Sequence, residues 1–259
     1  MESNHQAIMQ ALLPRLASLP GEACVFGKDL ATGEAWAYQA DVPVVAASVI
    51  KIPILIEAFR QARDGLLSMD EEFAIRPEQK MPSCGALTYL HDGLRVTLRD
   101  LCVLMIILSD NTATNMLIDR LGMDNINKTI DDLGFSGTRL RRKLWQPELS
   151  RRGIQNTVCA ADTERYFRLL LREELVSPAA SKEMLQILLN QRLNGKMPFY
   201  LHSQGIRCAH KTGEDDGITH DVGIIFAEHP VILSFLSENT NVPEAELALQ
   251  KLALAAIKE

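Results

Sequence analysis

The apolar positions along this chain change period twice. Near the start, EACVFGKDL and EAWAYQA have strand-like patterns, and the ATG between them is a turn of hairpin type. From Ser48 the spacing becomes helical. SVIKIPILIEAFRQARDG places Ser48 as an N-cap or first-turn residue, Pro53 early in the helix and Gly65 at its end. Further helical patterns follow in TLRDLCVLMIILSD, NTATNMLIDRLG, MDNINKTIDDLG, DTERYFRLLLREEL and SPAASKEMLQILLNQ. Strand patterns return in GIRCAHKTG, HDVGIIFAE and PVILSFLSE, and VPEAELALQKLALAAIKE predicts a closing helix. The opening residues predict an amphipathic helix through about Ala17. Strands at both ends with helices between them predict a mixed α/β fold. An antiparallel sheet built from the two chain ends would be flanked by helices, with an all-helical lobe inserted. The α/β lobe would take about 1–47 and 195–259, and the helical lobe about 48–194, all in one domain. Neither an internal repeat nor a Ser/Gly linker interrupts this reading.

Composition narrows the function classes. A hydrophobic share of 47% supports a real core and argues against disorder. A net charge of −6 argues against a nucleic-acid binder or a basic membrane-surface protein. The basic run Arg139, Arg141, Arg142, Lys143 reads as a solvated or salt-bridged face. The most apolar run, LCVLMIIL, is too short to cross a membrane. The N-terminus has neither a basic leader region nor a clean apolar stretch, so the expected compartment is the cytoplasm, or the periplasm or exterior if a signal has been removed. The five cysteines are odd in number and scattered, which fits reduced thiols. The six histidines form no metal-ligand spacing, so no metal or organic cofactor is expected. A monomer acting on a small molecule is the expected state.

Three short motifs carry candidate chemistry. In SVIK, Ser48 and Lys51 lie three apart at a helix start and so share a face. A serine needs a base to take its proton, and a lysine discharged by burial or by neighbouring cations can be that base. In SDN, a loop between two helices, Ser109 is a candidate proton relay and Asn111 an amide contact, with Asp110 holding the turn. In HKTG, strand alternation puts Lys211 and Gly213 on one face and Thr212 on the other. Lys211 supplies positive charge, and Gly213 lets a ligand lie against the backbone.

In that order, S-x-x-K, S-D-N and K-T-G resemble the penicillin-recognising serine hydrolases, specifically the class A β-lactamase family. The resemblance covers nearly the whole chain. It includes TLRDLCVLMIILSDNTATNMLID and AHKTGEDDGITHDVGIIF, and is closest to the branch carrying PSCGAL and GIQNTVCAAD. It implies a β-lactamase/transpeptidase-like fold and an acyl-enzyme on Ser48, with Lys51 as base or as part of the proton path and Ser109 passing a proton to the leaving nitrogen. It further implies that Asn111 touches the substrate amide and that Lys211 and Thr212 hold a substrate carboxylate. The backbone N–H groups of Ser48 and Glu214 would form the oxyanion hole. The partner would be a β-lactam or peptide-like small molecule.

The departures concern the end of the reaction. Hydrolytic members carry a loop E-P-E-L-N whose first Glu, acting through a water, serves deacylation. The matching letters here are Gln146, Pro147, Glu148, Leu149 and Ser150. An amide cannot take a proton at neutral pH, so deacylation is expected to be impaired unless Glu148 swings in as base. The other reading of Glu148 is a structural ion pair with an arginine such as Arg142 or Arg151. Ser150 stands where the family has the Asn that shares the water. Glu214, with Asp215 and Asp216, puts negative charge near the substrate, and His220 with Asp221 is a candidate for substrate contact or for bracing Lys211. A D,D-peptidase-like or esterase-like hydrolase, or a β-lactam-binding acyl trap, remains the alternative.

Overall fold

The computed structural model describes residues 12, 14, 16–82 and 84–257; the predicted first helix falls largely outside them. Among the described residues nine strands occur in chain order: β1 Glu22–Asp29, β2 Ala35–Tyr38, β3 Val44–Val45, β4 Glu72–Ala74, β5 Arg95–Thr97, β6 Thr157–Val158, β7 Arg207–Asp215, β8 Ile218–Phe226 and β9 Val231–Glu238. Five of them form one sheet in the order β2-β1-β9-β8-β7. Every neighbouring pair in it is antiparallel, with Val25 opposite Tyr38, Glu22 opposite Glu238, Val222 opposite Ser234 and Gly213 opposite His220. The predicted sheet from both chain ends is therefore present, and the K-T-G strand β7 is its edge.

Eight helices are described: α1 Lys51–Arg63, α2 Leu98–Ile107, α3 Asn111–Leu121, α4 Met123–Asp132, α5 Pro147–Arg151, α6 Ala160–Leu171, α7 Pro178–Leu189 and α8 Val242–Ala255. Their starts follow from capping chemistry. Thr97 accepts from Asp100 N in a reciprocal capping box, and Ser177 and Asn241 accept from the third residue beyond them. The start of α1 differs from expectation. Ser48 lies in a separate single 3-10 turn, Ala47–Ile50, which runs into α1 at Lys51. Ala47 adopts φ 42°, and this turn orients the residues that follow.

Two apolar layers hold the sheet. The larger core packs α1, α2, α3, α6 and α7 with one sheet face, and includes Ile54, Leu101, Leu117, Phe167 and Ile224. The smaller core packs α8 on the other face, through Leu249 and Leu252 against Val25, Leu233 and Phe235. A side chain as buried as Phe167 stabilises by about 2–3 kcal/mol through area removed from water. Helix α6 lies between the two parts of the chain: Thr163 Oγ1 donates to Ser234 Oγ on β9 at 2.7 Å. No described helix is long and apolar enough to cross a membrane.

Candidate active site

Four pieces of chain converge at the free edge of β7. The 3-10 turn presents Ser48, the first residue of α1 presents Lys51, the turn between α2 and α3 presents Ser109 and Asn111, and β7 presents Lys211. Lys51 Nζ donates to Ser48 Oγ at 2.9 Å, Ser109 Oγ at 2.9 Å, Ser109 O at 2.8 Å and Asn111 Oδ1 at 2.9 Å. Lys211 Nζ approaches Ser109 Oγ from the other side at 3.1 Å and donates to Thr212 O at 2.8 Å. Ser109 thus stands between two fully buried lysines. It adopts φ 54°, a left-handed conformation uncommon outside glycine, which turns its hydroxyl into this gap.

Burial and charge set the protonation. Burial, then the nearby Lys211 cation, hold Lys51 well below the usual lysine range. Burial likewise brings Lys211 down to about 7, partly opposed by the Asp221 carboxylate. Lys51 can therefore reach the neutral form in which Nζ takes a serine proton, while Lys211 is poised to gain charge when an anion arrives.

Asp110 holds the turn. Its carboxylate accepts from Ala113 N at 3.0 Å as the cap of α3, and from Ala86 N and Leu87 N at 2.8 and 2.9 Å. Gly85 packs so closely that an added Cβ would lie 2.3 Å from the Asp110 carboxyl carbon. Asn111 N donates to Cys84 O at 3.2 Å. These bonds set the position of Ser109 and Asn111 from outside the reacting groups.

A cleft of about 100 Å³ beside Ser48 is lined also by Val45, Asn111, Arg142, Leu144, Trp145, Asn156, Glu214 and Asp215. Gln146 is not on this wall, which corrects its predicted placement. Its Oε1 accepts from Lys143 N at 3.0 Å, and it lines a neighbouring groove with Met81 and Met116. Glu148 is exposed on the first turn of α5 and does not line the cleft either. Arg142, its expected partner, donates instead to Ile154 O, Lys143 O and Gln155 Oε1. Ser150 Oγ accepts from Gln155 Nε2 at 2.7 Å and is likewise absent from the wall.

From this loop Arg142, Leu144 and Trp145 line the cleft with Ser48, and Leu144 stands two positions before the letter match. Asn115, one turn beyond Asn111 on α3, clamps it: Oδ1 accepts from Leu144 N at 2.9 Å and Nδ2 donates to Leu144 O at 3.0 Å. The next residue, Trp145, takes φ 59° and is 55% exposed at the cleft mouth. Sequence reasoning missed Leu144, Asn115 and Trp145; only the i, i+4 spacing of Asn111 and Asn115 carried a signal.

His220 is also placed differently from expectation. It is fully buried, its Nε2 pairs with Val45 O at 2.8 Å, and Nδ1 accepts from Ser237 N at 3.1 Å. These partners require the neutral tautomer with hydrogen on Nε2, and burial pushes the pKa down to about 4. It underlies Gly213, where a Cβ would meet its ring at 2.8 Å. It is a buried brace, not a substrate contact. Asp221 Oδ1 pairs with His210 Nδ1 at 2.8 Å and its Oδ2 accepts from Met197 N at 3.0 Å. Among the described residues no group of His, Cys, Asp and Glu has a metal-binding arrangement.

A model of the β-lactamase enzyme family matches residues 5–259. A β-lactamase of Rhodobacter capsulatus is 25% identical over 170 residues, 64% of this chain, and the chain spans 57% of that curated relative's length. The solved β-lactamase of Sphaerobacter thermophilus superposes with a TM-score of 0.87 at 30% identity, covering 99% of this chain and 96% of that one. PBP-A, in a mutant solved as an acyl-enzyme complex with penicillin G, superposes with a TM-score of 0.85 at 26% identity, covering 99% of this chain and 96% of that one. Whole-length agreement in sequence pattern and fold, around a serine bracketed by two buried lysines, has one consequence: the chain belongs to the β-lactamase enzyme family.

Proposed function

We propose that this protein is a serine acyl hydrolase of the class A β-lactamase type that acylates readily and deacylates slowly. The observation that carries this reading is Lys51 Nζ at 2.9 Å from both Ser48 Oγ and Ser109 Oγ. Ser48 Oγ attacks the carbonyl carbon of a β-lactam or related amide and gives its proton to Lys51. The backbone N–H groups of Ser48 and Glu214 stabilise the oxyanion. As the C–N bond breaks, Ser109 donates its proton to the leaving nitrogen and is reprotonated from Lys51. Lys211 and Thr212 receive the substrate carboxylate, whose charge favours protonated Lys211, and Asn111 contacts the acyl-side amide.

Completing hydrolysis requires a base for the attacking water. The loop residues that line the cleft with Ser48 are Arg142, Leu144 and Trp145, none of which has a carboxylate to take a proton from water; the cleft's carboxylates, Glu214 and Asp215, lie on β7 instead. This favours a long-lived acyl-enzyme and keeps a second reading alive: a D,D-peptidase-like enzyme or acyl trap that β-lactams block. The mutant of PBP-A held with penicillin G as an acyl-enzyme is in keeping with such chemistry on this fold. Mixing the protein with a chromogenic cephalosporin tests the proposal. A burst of about one equivalent, a slow steady state and an adduct that Ser48→Ala abolishes are expected. Fast turnover after the burst would contradict slow deacylation, and no adduct would contradict the mechanism.

A further inference from the structure

Lys196 lies in the segment between α7 and β7. It is buried yet belongs to none of the three motifs. Its Nζ donates to Gly213 O at 3.0 Å and reaches His220 O at 3.5 Å. Two carboxylates accompany it, Glu214 Oε1 at 3.1 Å and Glu246 Oε1, from α8, at 3.7 Å. Gly213 and His220 are directly opposed across β7 and β8. Antiparallel partners either point both carbonyls into the space between their strands or both away from it. One amine can touch both oxygens only in the first case, so the Gly213 carbonyl points inward. The Gly213–Glu214 peptide is trans, so its N–H points the opposite way, to the free edge of β7 where the Ser48 cleft lies.

We infer that Lys196 is a positioning residue for the oxyanion hole: it holds and polarises the Gly213–Glu214 peptide through the carbonyl, and so strengthens the Glu214 N–H that faces the reacting carbonyl. A cation on an amide oxygen draws electron density from the amide nitrogen, and hydrogen bonds in series reinforce one another in a low-dielectric site. The gain falls where negative charge develops, so it favours the transition state over bound substrate. The inference rests on the acyl-enzyme reading above.

Infrared difference spectroscopy of the acyl-enzyme formed with penicillin G, labelled with carbon-13 at the β-lactam carbonyl, reads this hydrogen bond directly. Lys196→Met should raise the ester carbonyl frequency. It should also slow acylation about tenfold at saturating penicillin with little change in half-saturation, less than the loss of a whole oxyanion donor. Lys196→Arg should keep the wild-type frequency. If the Met variant does not fold, Lys196→Gln, a neutral donor, should show the same upward shift. A folded Met or Gln variant with unchanged frequency overturns the inference. No adduct in the wild-type protein overturns the acyl-enzyme reading itself, and this inference with it.

Discussion

Ser109 Oγ is the point where two lysines meet, and their burial has a measurable consequence. Lys211 titrates near 7 in the fold against 10.5 ordinarily. Below about 7 both folded and unfolded chains carry the proton, and the buried charge is a fixed penalty. Between about 7 and 10.5 only the unfolded chain binds it, so this residue's contribution to stability rises with pH across that window. Lys211→Met should therefore raise Tm most below pH 7, with the gain shrinking toward pH 10; a gain independent of pH would contradict this. The contact of Ser48 with Lys51 was legible as a spacing of three at the start of a helix. The loop residues that line the cleft were not, because letters do not reveal how the loop backbone turns. That is decided by a left-handed Trp145 and by the Asn115 clamp on Leu144. A bulky residue at positive φ leaves no local pattern, and of the clamp only the i, i+4 spacing of Asn111 and Asn115 could be read.

At the scale of elements, the turn between α2 and α3 depends on Asp110. Its carboxylate accepts three backbone N–H groups from two segments. Asp110→Ala removes a cap and leaves the N–H groups of Ala86 and Leu87 without that acceptor, a loss of about 2–4 kcal/mol. Denaturant unfolding should report that loss, and acylation should fall with it as Ser109 and Asn111 shift; unchanged stability would show that the turn is held otherwise. Helix starts were readable where Thr97, Asp110, Ser177 and Asn241 cap them. The 3-10 turn at Ser48 was not, since the same residues also satisfy an α-helical pattern. The strands of the late hairpins were clear from apolar runs, yet strand alternation alone could not separate His220 the brace from a substrate contact.

Over the whole molecule, the sheet joins the first and last parts of the chain and sets its edge strand beside Ser48. His220 ties this together, linking β8 to Val45 O in β3 and to Ser237 N in β9. Its pKa, lowered from 6.5 to about 4, means that the unfolded chain takes up a proton in that window and the folded chain does not. Its contribution to stability falls as pH drops from about 6.5 to 4, by up to about 3 kcal/mol. His220→Gln should be less stable at pH 7 and lose less on acidification; equal acid sensitivity in both proteins would contradict the neutral, buried imidazole. The proposed function pairs a serine–lysine acylation group at Ser48 and Lys51 with a loop wall that carries Leu144 in place of a carboxylate. The most direct measurement is the decay of the penicillin G adduct on Ser48, followed by intact mass in the wild type, Leu144→Glu and Gln146→Glu. Leu144→Glu should speed adduct loss about a hundredfold, as a placed general base does, while Gln146→Glu leaves it nearly unchanged. Faster loss from Gln146→Glu than from Leu144→Glu would contradict the account.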